Sequence, residues 1–309
     1  MSILKSEEGI EQDWALLSPE ERLPLASYGP PVSVADLLAA RLVPWSFQSS
    51  LATQQAPLGW MPKGLFKTLL RRVSGDARHL DLSLQDSFQW QGLGSGLFVD
   101  GKNLKLFEQH LAAVLGDFGW RNEDFAVIDR QGLAMGPDRR LERSLFRWLG
   151  LLSESVQLNL WRDDGLLWIA QRAMTKAIDP GLWDAAVAGG LSAGEQPEQA
   201  IWRESLEEAG LTSNWHSRIQ RPASAPCIRV SRLIDPPWET AVKPGWPERC
   251  LHHERVWRFE ITLPRDWQPV ANDGEVVAFQ AAEPEAIFSL WKQGRFNHEA
   301  ACAGPSPSL

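Results

Sequence analysis

Apolar residues recur at helical spacing in four stretches of the chain: "SVADLLAARL", "PKGLFKTLLRRV", "LKLFEQHLAAVLGDFG" and "EPEAIFSLWKQG". The second begins at Pro62, suited to a first helical turn, and ends in basic residues that agree with the helix dipole; the third closes on glycine. Alternation in "HLDLSLQDSFQW" predicts a strand, and the glycine-rich "GLGSGLFVDGKN" after it predicts a hairpin. A second hairpin is predicted in "VQLNLWRDDGLLWIAQRA", with Asp164-Gly165 as the turn between two apolar runs. "CIRVSRLI" and "ERVWRFEITLP" read as further strands.

These elements divide the chain into an extension (1–55), a small α+β domain (56–150), an α/β domain (151–298) and a polar tail (299–309). The hydrophobic fraction of 44% suits a globular protein, and a net charge of -8 offers no global field for nucleic acid or anionic lipid. Three cysteines without a C-x-x-C spacing indicate neither a disulfide framework nor a zinc site, so a reducing cytoplasm is the expected setting. The acidic N-terminus lacks the form of a signal peptide, and no apolar run reaches the length of a membrane span. The expected partner is a small molecule, with a homodimer as the candidate assembly.

One short segment concentrates the candidate chemistry. In "AGGLSAGEQPEQAIWRESLEEAGL", Pro197 and Gly210 bound a helix on which Glu204, Glu207 and Glu208 fall within about 100° of arc, while Ile201, Trp202, Ser205, Leu206 and Ala209 fill the side expected to be buried. Like charges at these spacings are mildly unfavourable, and Arg203 alone cannot neutralise three acids. A solvated acidic face is the plain alternative. Carboxylates converging from one turn suit hard divalent cations such as Mg2+ or Mn2+, and the glycines ahead of the helix permit a tight loop with open backbone beside them.

The spacing from Gly189 to Glu195, and on to Arg203-Glu204, Glu207-Glu208 and Gly210, resembles the Nudix box. It departs only at Ser205, where the pattern prefers an aliphatic residue. The resemblance implies an α/β/α sandwich with a mixed sheet and hydrolysis of diphosphates linked to another moiety. It implies Glu204, Glu207 and Glu208 as metal ligands, Glu204 as a candidate base, an Arg203–Glu195 pair holding the loop, and Gly189 and Gly190 shaping it. The outlying acid would be Glu275 in "NDGEVVAF", for which a turn acid before a strand is the plain reading.

Longer segments, "LWIAQRAMTKAIDPGLWDAAVAGG", "CLHHERVWRFEITLP" and "NDGEVVAF", are similar to the Nudix proteins related to fungal thiamine pyrophosphokinase fusions. That likeness implies thiamine diphosphate and its oxidised analogues as substrates, with Arg172, Lys176 and Glu254 in contact with them. Gln157 and Leu158 depart from it, where a histidine near the asparagine is expected. ADP-ribose or another nucleotide derivative is the alternative substrate. An isopentenyl diphosphate isomerase would need a catalytic cysteine, and a sensor would have no need of the acids.

Other signals carry less. His252 and His253 are adjacent on a strand and point to opposite faces, which disfavours a shared metal. Arg140, Arg143 and Arg147 read as a solvated helix face.

Overall fold

The computed structural model describes residues 32, 34–47, 57–74, 84–90, 94–99, 104–116, 120–129, 132–176, 178–223, 226–234, 249–272 and 274–304. These form two compact units, Pro31–Ser153 with Ser231–His253, and Glu154–Val230 with Glu254–Leu309.

The first unit holds a four-stranded sheet of order β2-β1-β4-β3, made by β1 (Leu42–Phe47), β2 (Gly59–Pro62), β3 (Leu84–Trp90) and β4 (Gly94–Val99). Helices α1 (Val34–Ala39), α2 (Lys63–Ser74), α3 (Leu104–Leu115) and α4 (Leu145–Leu149) belong to it, as does a ribbon of β5 (Asp124–Ala126) and β6 (Arg140–Glu142). The predicted hairpin is the antiparallel β3–β4 pair. Residues 42–47, read as part of an extension, supply β1, which pairs with both β2 and β4. Trp45 explains the anchoring, since it is fully buried, donates from Nε1 to the Leu149 carbonyl at 2.6 Å, and packs on Phe107. The arginines expected on one helix face are separated: Arg140 lies on β6, Arg143 pairs with Glu123, and Arg147 donates to Nδ1 of His252 at 3.3 Å.

The second unit is an α/β/α sandwich. Its strands belong to a seven-stranded sheet of order β11-β12-β7-β8-β13, with β10 added to β7 and β9 to β8. The strands are β7 (Leu152–Arg162), β8 (Leu167–Arg172), β9 (Trp183–Ala185), β10 (Val187–Gly190), β11 (Cys227–Ile234), β12 (Cys250–Leu263) and β13 (Val276–Ala282). The β7–β8 hairpin turns where predicted, with Gly165 at a φ of 89°.

Val156, Leu158, Leu160, Phe259 and Ile261 pack on one face against Ala200, Ile201 and Ala209 of α5 (Pro197–Ala209). Ile169 and Ala185 pack on the other against Ile287 of α6 (Pro284–Lys292) and Ala300 and Ala301 of α7 (His298–Ala303). Helix α7 corrects the reading of 299–309 as a polar tail. Asn297 caps it by accepting the Ala300 N–H at 2.9 Å, and Glu299 to Ala303 are buried. Gln157 and Asn159, buried on β7, reach the Ala300 and Ala303 carbonyls. Among the described residues no helix is long and apolar enough to cross a membrane.

Candidate functional site

The site is built on α5 and on the end of β10, where Gly189 and Gly190 are strand residues paired with Val156 and Ser155 and not the tight loop expected from the sequence. Pro197 at the first position and Gly210 at the left-handed end (φ 68°) bound the helix. Gln199 Oε1 accepts the Gln196 N–H at 2.9 Å, while the Gly210 and Leu211 amides satisfy the Leu206 and Ser205 carbonyls. Ahead of the helix, β10 pairs antiparallel with β7 in the register Gly189↔Val156, and Gly189 lies against Glu204 in the middle of α5. A Cβ on Gly189 would fall inside the Glu204 carboxyl, so any side chain there would displace that carboxyl.

Arg203 organises the segment from β10 to α5. Its Nε and Nη2 donate to the two oxygens of Glu195, each at 3.0 Å, and Nη2 also reaches the Gly190 carbonyl at 3.3 Å. Glu195 in turn accepts the Ser192 N–H at 3.2 Å. The remaining Nη1 donates to Glu204 at 2.6 Å and to Glu207 at 3.4 Å. A planar fork satisfying two sides at once is a task lysine could not perform. The Glu195 fork, with the charge of Glu204 added, outweighs burial and holds Arg203 above the usual arginine range.

The three acids differ in environment. The Glu207 side chain is half exposed, that of Glu204 is mostly covered, and Glu208 is buried, accepting the Ala188 N–H at 2.8 Å. Burial, and then the neighbouring Glu204 charge, push the Glu208 carboxyl up to about 8, against the pull of the Ala188 N–H and Lys176. The supposition that one side of α5 is acidic and the opposite side buried is therefore corrected. Trp202 and Leu206 are 39% and 49% exposed, and Trp202 stacks on His216 with ring centroids 5.2 Å apart. Ser205 is fully buried and donates to the Trp202 carbonyl, so the one departure from the box packs without an unsatisfied hydroxyl.

Among the described residues no three acid, histidine or cysteine side chains stand gathered as an ion-binding group, because Arg203 draws Glu204 to itself and Glu207 faces solvent. Carboxylate oxygen is nonetheless the donor type that hard cations take. All three acids offer carboxylate oxygen, and the burden on Glu208 from burial and from Glu204 is the one a cation would relieve.

Two of the outlying residues, Lys176 and Glu275, are brought together. Lys176, on the loop after β8, forms an ion pair with Glu275, whose own carbonyl accepts the Ala173 N–H at 2.8 Å, and the Lys176 charge acts on Glu208. Arg172 lies close enough to Glu208 to interact with it electrostatically, but its guanidinium is engaged on Asp184 at 2.6 Å and on the Ile178 carbonyl. Glu254 is not gathered with the α5 acids. Strand alternation puts it on the face of Val256, which packs on Cys302 and Ala303 of α7, and of Arg258, which reaches the Ala303 carbonyl. Asp184 was missed in the sequence; its signal is one acid among apolar neighbours in "LWDAAVAGG".

Stability should report the state of Glu208. Its folded value near 8 exceeds the unfolded 4.5, so the folded chain keeps a proton that the unfolded chain releases between these values. Stability contributed by that proton is complete at low pH and falls as pH rises toward 8. Glu208→Gln is expected to flatten the fall, a difference on the order of a few kcal/mol across the window. Chemical denaturation in EDTA from pH 5 to 8.5 measures it, and parallel curves for the two proteins would contradict the assignment.

Gly189 of β10 is thus seated on a helix carboxylate that an arginine fork clamps, with two further acids on the same helix. Residues 154–300 match the NUDIX domain, and the chain carries a Nudix domain there. Nudix hydrolase 20, chloroplastic, of Arabidopsis thaliana is 26% identical over 159 residues, spanning 50% of this chain and 38% of the plant protein. The chain thus spans well under half the length of that relative. An uncharacterised Nudix hydrolase of Pseudomonas aeruginosa is 34% identical over 89 residues, 29% of this chain and 51% of its own. An isopentenyl-diphosphate Delta-isomerase of Streptomyces coelicolor is 28% identical over 167 residues, 53% of this chain and 77% of its own.

Proposed function

We propose that the segment 151–298 is a Mg2+- or Mn2+-dependent hydrolase of small-molecule diphosphates, working in the cytoplasm. The observation that carries this reading is the seating of Gly189 on the Glu204 carboxyl with Arg203 bridging Glu195 and Glu204. Glu204, Glu207 and Glu208 would hold the ion, which when bound offsets diphosphate charge and lowers the pKa of the attacking water. The rest falls to the chain's own groups. Glu204 would accept a proton from the attacking water, and the Lys176 ammonium, which pairs with Glu275, would turn toward a phosphate oxygen. The water oxygen bonds to phosphorus, the bridging P–O bond breaks, and a monophosphate and phosphate leave.

As substrate we favour thiamine diphosphate and its oxidised analogues, oxothiamine and oxythiamine diphosphate. The reading is supported by the likeness of 167–190, 250–264 and 272–279 to the thiamine-related Nudix group. Nucleotide diphosphates such as ADP-ribose are the alternative. The similarity to isopentenyl-diphosphate isomerases favours a further reading; Cys250 and Cys302 are buried and burial pushes the Cys250 thiol up to about 12, so that reading would rest on the half-buried Cys227.

A panel of thiamine diphosphate, oxothiamine diphosphate, ADP-ribose and isopentenyl diphosphate, each incubated with protein and Mg2+, separates these readings. Phosphate or monophosphate release fastest from the thiamine compounds is expected. Release from ADP-ribose alone would sink the thiamine assignment, and isomerised product without release would sink hydrolysis.

A further inference from the structure

We propose that Asp184 is a positioning residue of this site, acting through Arg172 on the loop 173–182 and so on the placement of the Lys176 ammonium. The inference rests on the hydrolase reading and goes beyond it by reassigning Arg172 from substrate contact to loop support.

Arg172 ends β8, and Asp184 lies on the partner strand β9 in the register Ala170↔Asp184. The loop leaves the sheet after Arg172 and returns at Leu182, whose carbonyl accepts the Arg172 N–H at 2.9 Å. The guanidinium spans that opening. Its Nη1 donates to Asp184 at 2.6 Å, while Nε and Nη2 donate to the Ile178 carbonyl at 3.2 and 2.9 Å. Asp184 is buried and its other oxygen accepts the Ala185 N–H at 2.8 Å, so the carboxylate is itself fixed. Three guanidinium donors are committed, and the arginine charge already has its counter-ion. A diphosphate would have to break this arrangement to be held by Arg172.

Further tethers act on the same limb of the loop. Gln171 Nε2 donates to the Gly181 carbonyl at 3.3 Å, and Asn297 Nδ2 donates to Asp179 at 2.9 Å. Asp179 itself takes a φ of 48°, a left-handed conformation that a non-glycine residue holds only with support. The other limb carries Lys176, whose N–H bonds to the Ala173 carbonyl at 3.1 Å and whose charge bears on Glu208. Lysine has a long, freely rotating side chain, so its usefulness to a diphosphate depends on how firmly its backbone is placed. The Asp184–Arg172–Ile178 chain supplies that placement.

A double-mutant cycle on Mg2+-dependent diphosphate release tests the link. Asp184→Asn and Lys176→Met are each expected to lower kcat/KM by about tenfold or more. In the Lys176→Met background Asp184→Asn should cost less than about twofold, because the residue through which it acts is gone. Losses that simply multiply would overturn the proposal. Asp184→Asn leaves the Arg172 charge without its counter-ion, which can prevent folding. Asn297→Ser therefore serves as a second variant, since serine still caps α7 but is too short to reach Asp179, and it should show the same dependence on Lys176. Hydrogen exchange in metal-free protein gives a readout independent of turnover: amides of 174–176, 178, 179, 181 and 182 should exchange faster in both variants while those of α5 hold. Unchanged exchange would overturn the tether. Should the wild type release nothing from any diphosphate, the hydrolase reading falls, and the cycle is then scored on calorimetric affinity for Mg2+ with inorganic pyrophosphate by the same criterion.

Discussion

Glu204→Gln is expected to lower Mg2+-dependent diphosphate hydrolysis by about a thousandfold while leaving the fold intact. The size follows from the two roles proposed for the residue, metal ligand and base, since removing a single preorganised electrostatic group from a catalytic site already costs about 10²–10³ in rate. The fold should survive because Glu204 is held by Arg203, which keeps its bidentate partner Glu195 and the Gly190 carbonyl in the variant. Glutamine retains an oxygen to accept from Nη1, so thermal unfolding should shift little. Steady-state kinetics with a thermal melt on the same preparation checks both halves, and wild-type turnover in the variant would remove Glu204 from the mechanism.

Gly189→Ala should have the second largest effect, of about a hundredfold, though it adds only a methyl group. That methyl would occupy the place of the Glu204 carboxyl, so either the carboxyl swings away or β10 parts from α5. Either movement is on the scale of an ångström, which at a reacting centre costs about 10²-fold. The contrasting control is Gly165→Ala, where nothing lies within 4 Å of the added Cβ; its positive φ of 89° costs stability rather than turnover. Equal kcat values for Gly189→Ala and the wild type would mean that Gly189 does not fix the catalytic carboxylate.

What the sequence made legible was local. Pro197 and Gly210 mark the ends of α5, and Asp164-Gly165 marks the β7–β8 turn, because proline, left-handed glycine and turn dipeptides act within a few residues of themselves. Burial was less legible. Glu208 is inside and Leu206 outside, the reverse of what hydrophobicity alone predicts, because β10 covers the Glu208 side of the helix and offers it the Ala188 amide. Helix α7 is not legible in the sequence because alanines and a cysteine beside a proline- and serine-rich end carry little periodic signal, yet small side chains let it pack closely on the sheet. Asp184 could be seen as an odd acid in an apolar strand, but its partner Arg172 lies across a strand pair, and pairing of that kind has no spacing rule along the chain.

Titration with Mn2+, followed by the electron paramagnetic resonance of the free ion, tests most directly whether the acids of α5 form a metal platform. The wild type should bind Mn2+ near neutral pH, and both Glu204→Gln and Glu208→Gln should weaken that binding by about tenfold or more, as loss of a carboxylate ligand does. Equal Mn2+ affinity in the wild type and both variants would show that the ion, if it binds, is held elsewhere, and would contradict the account.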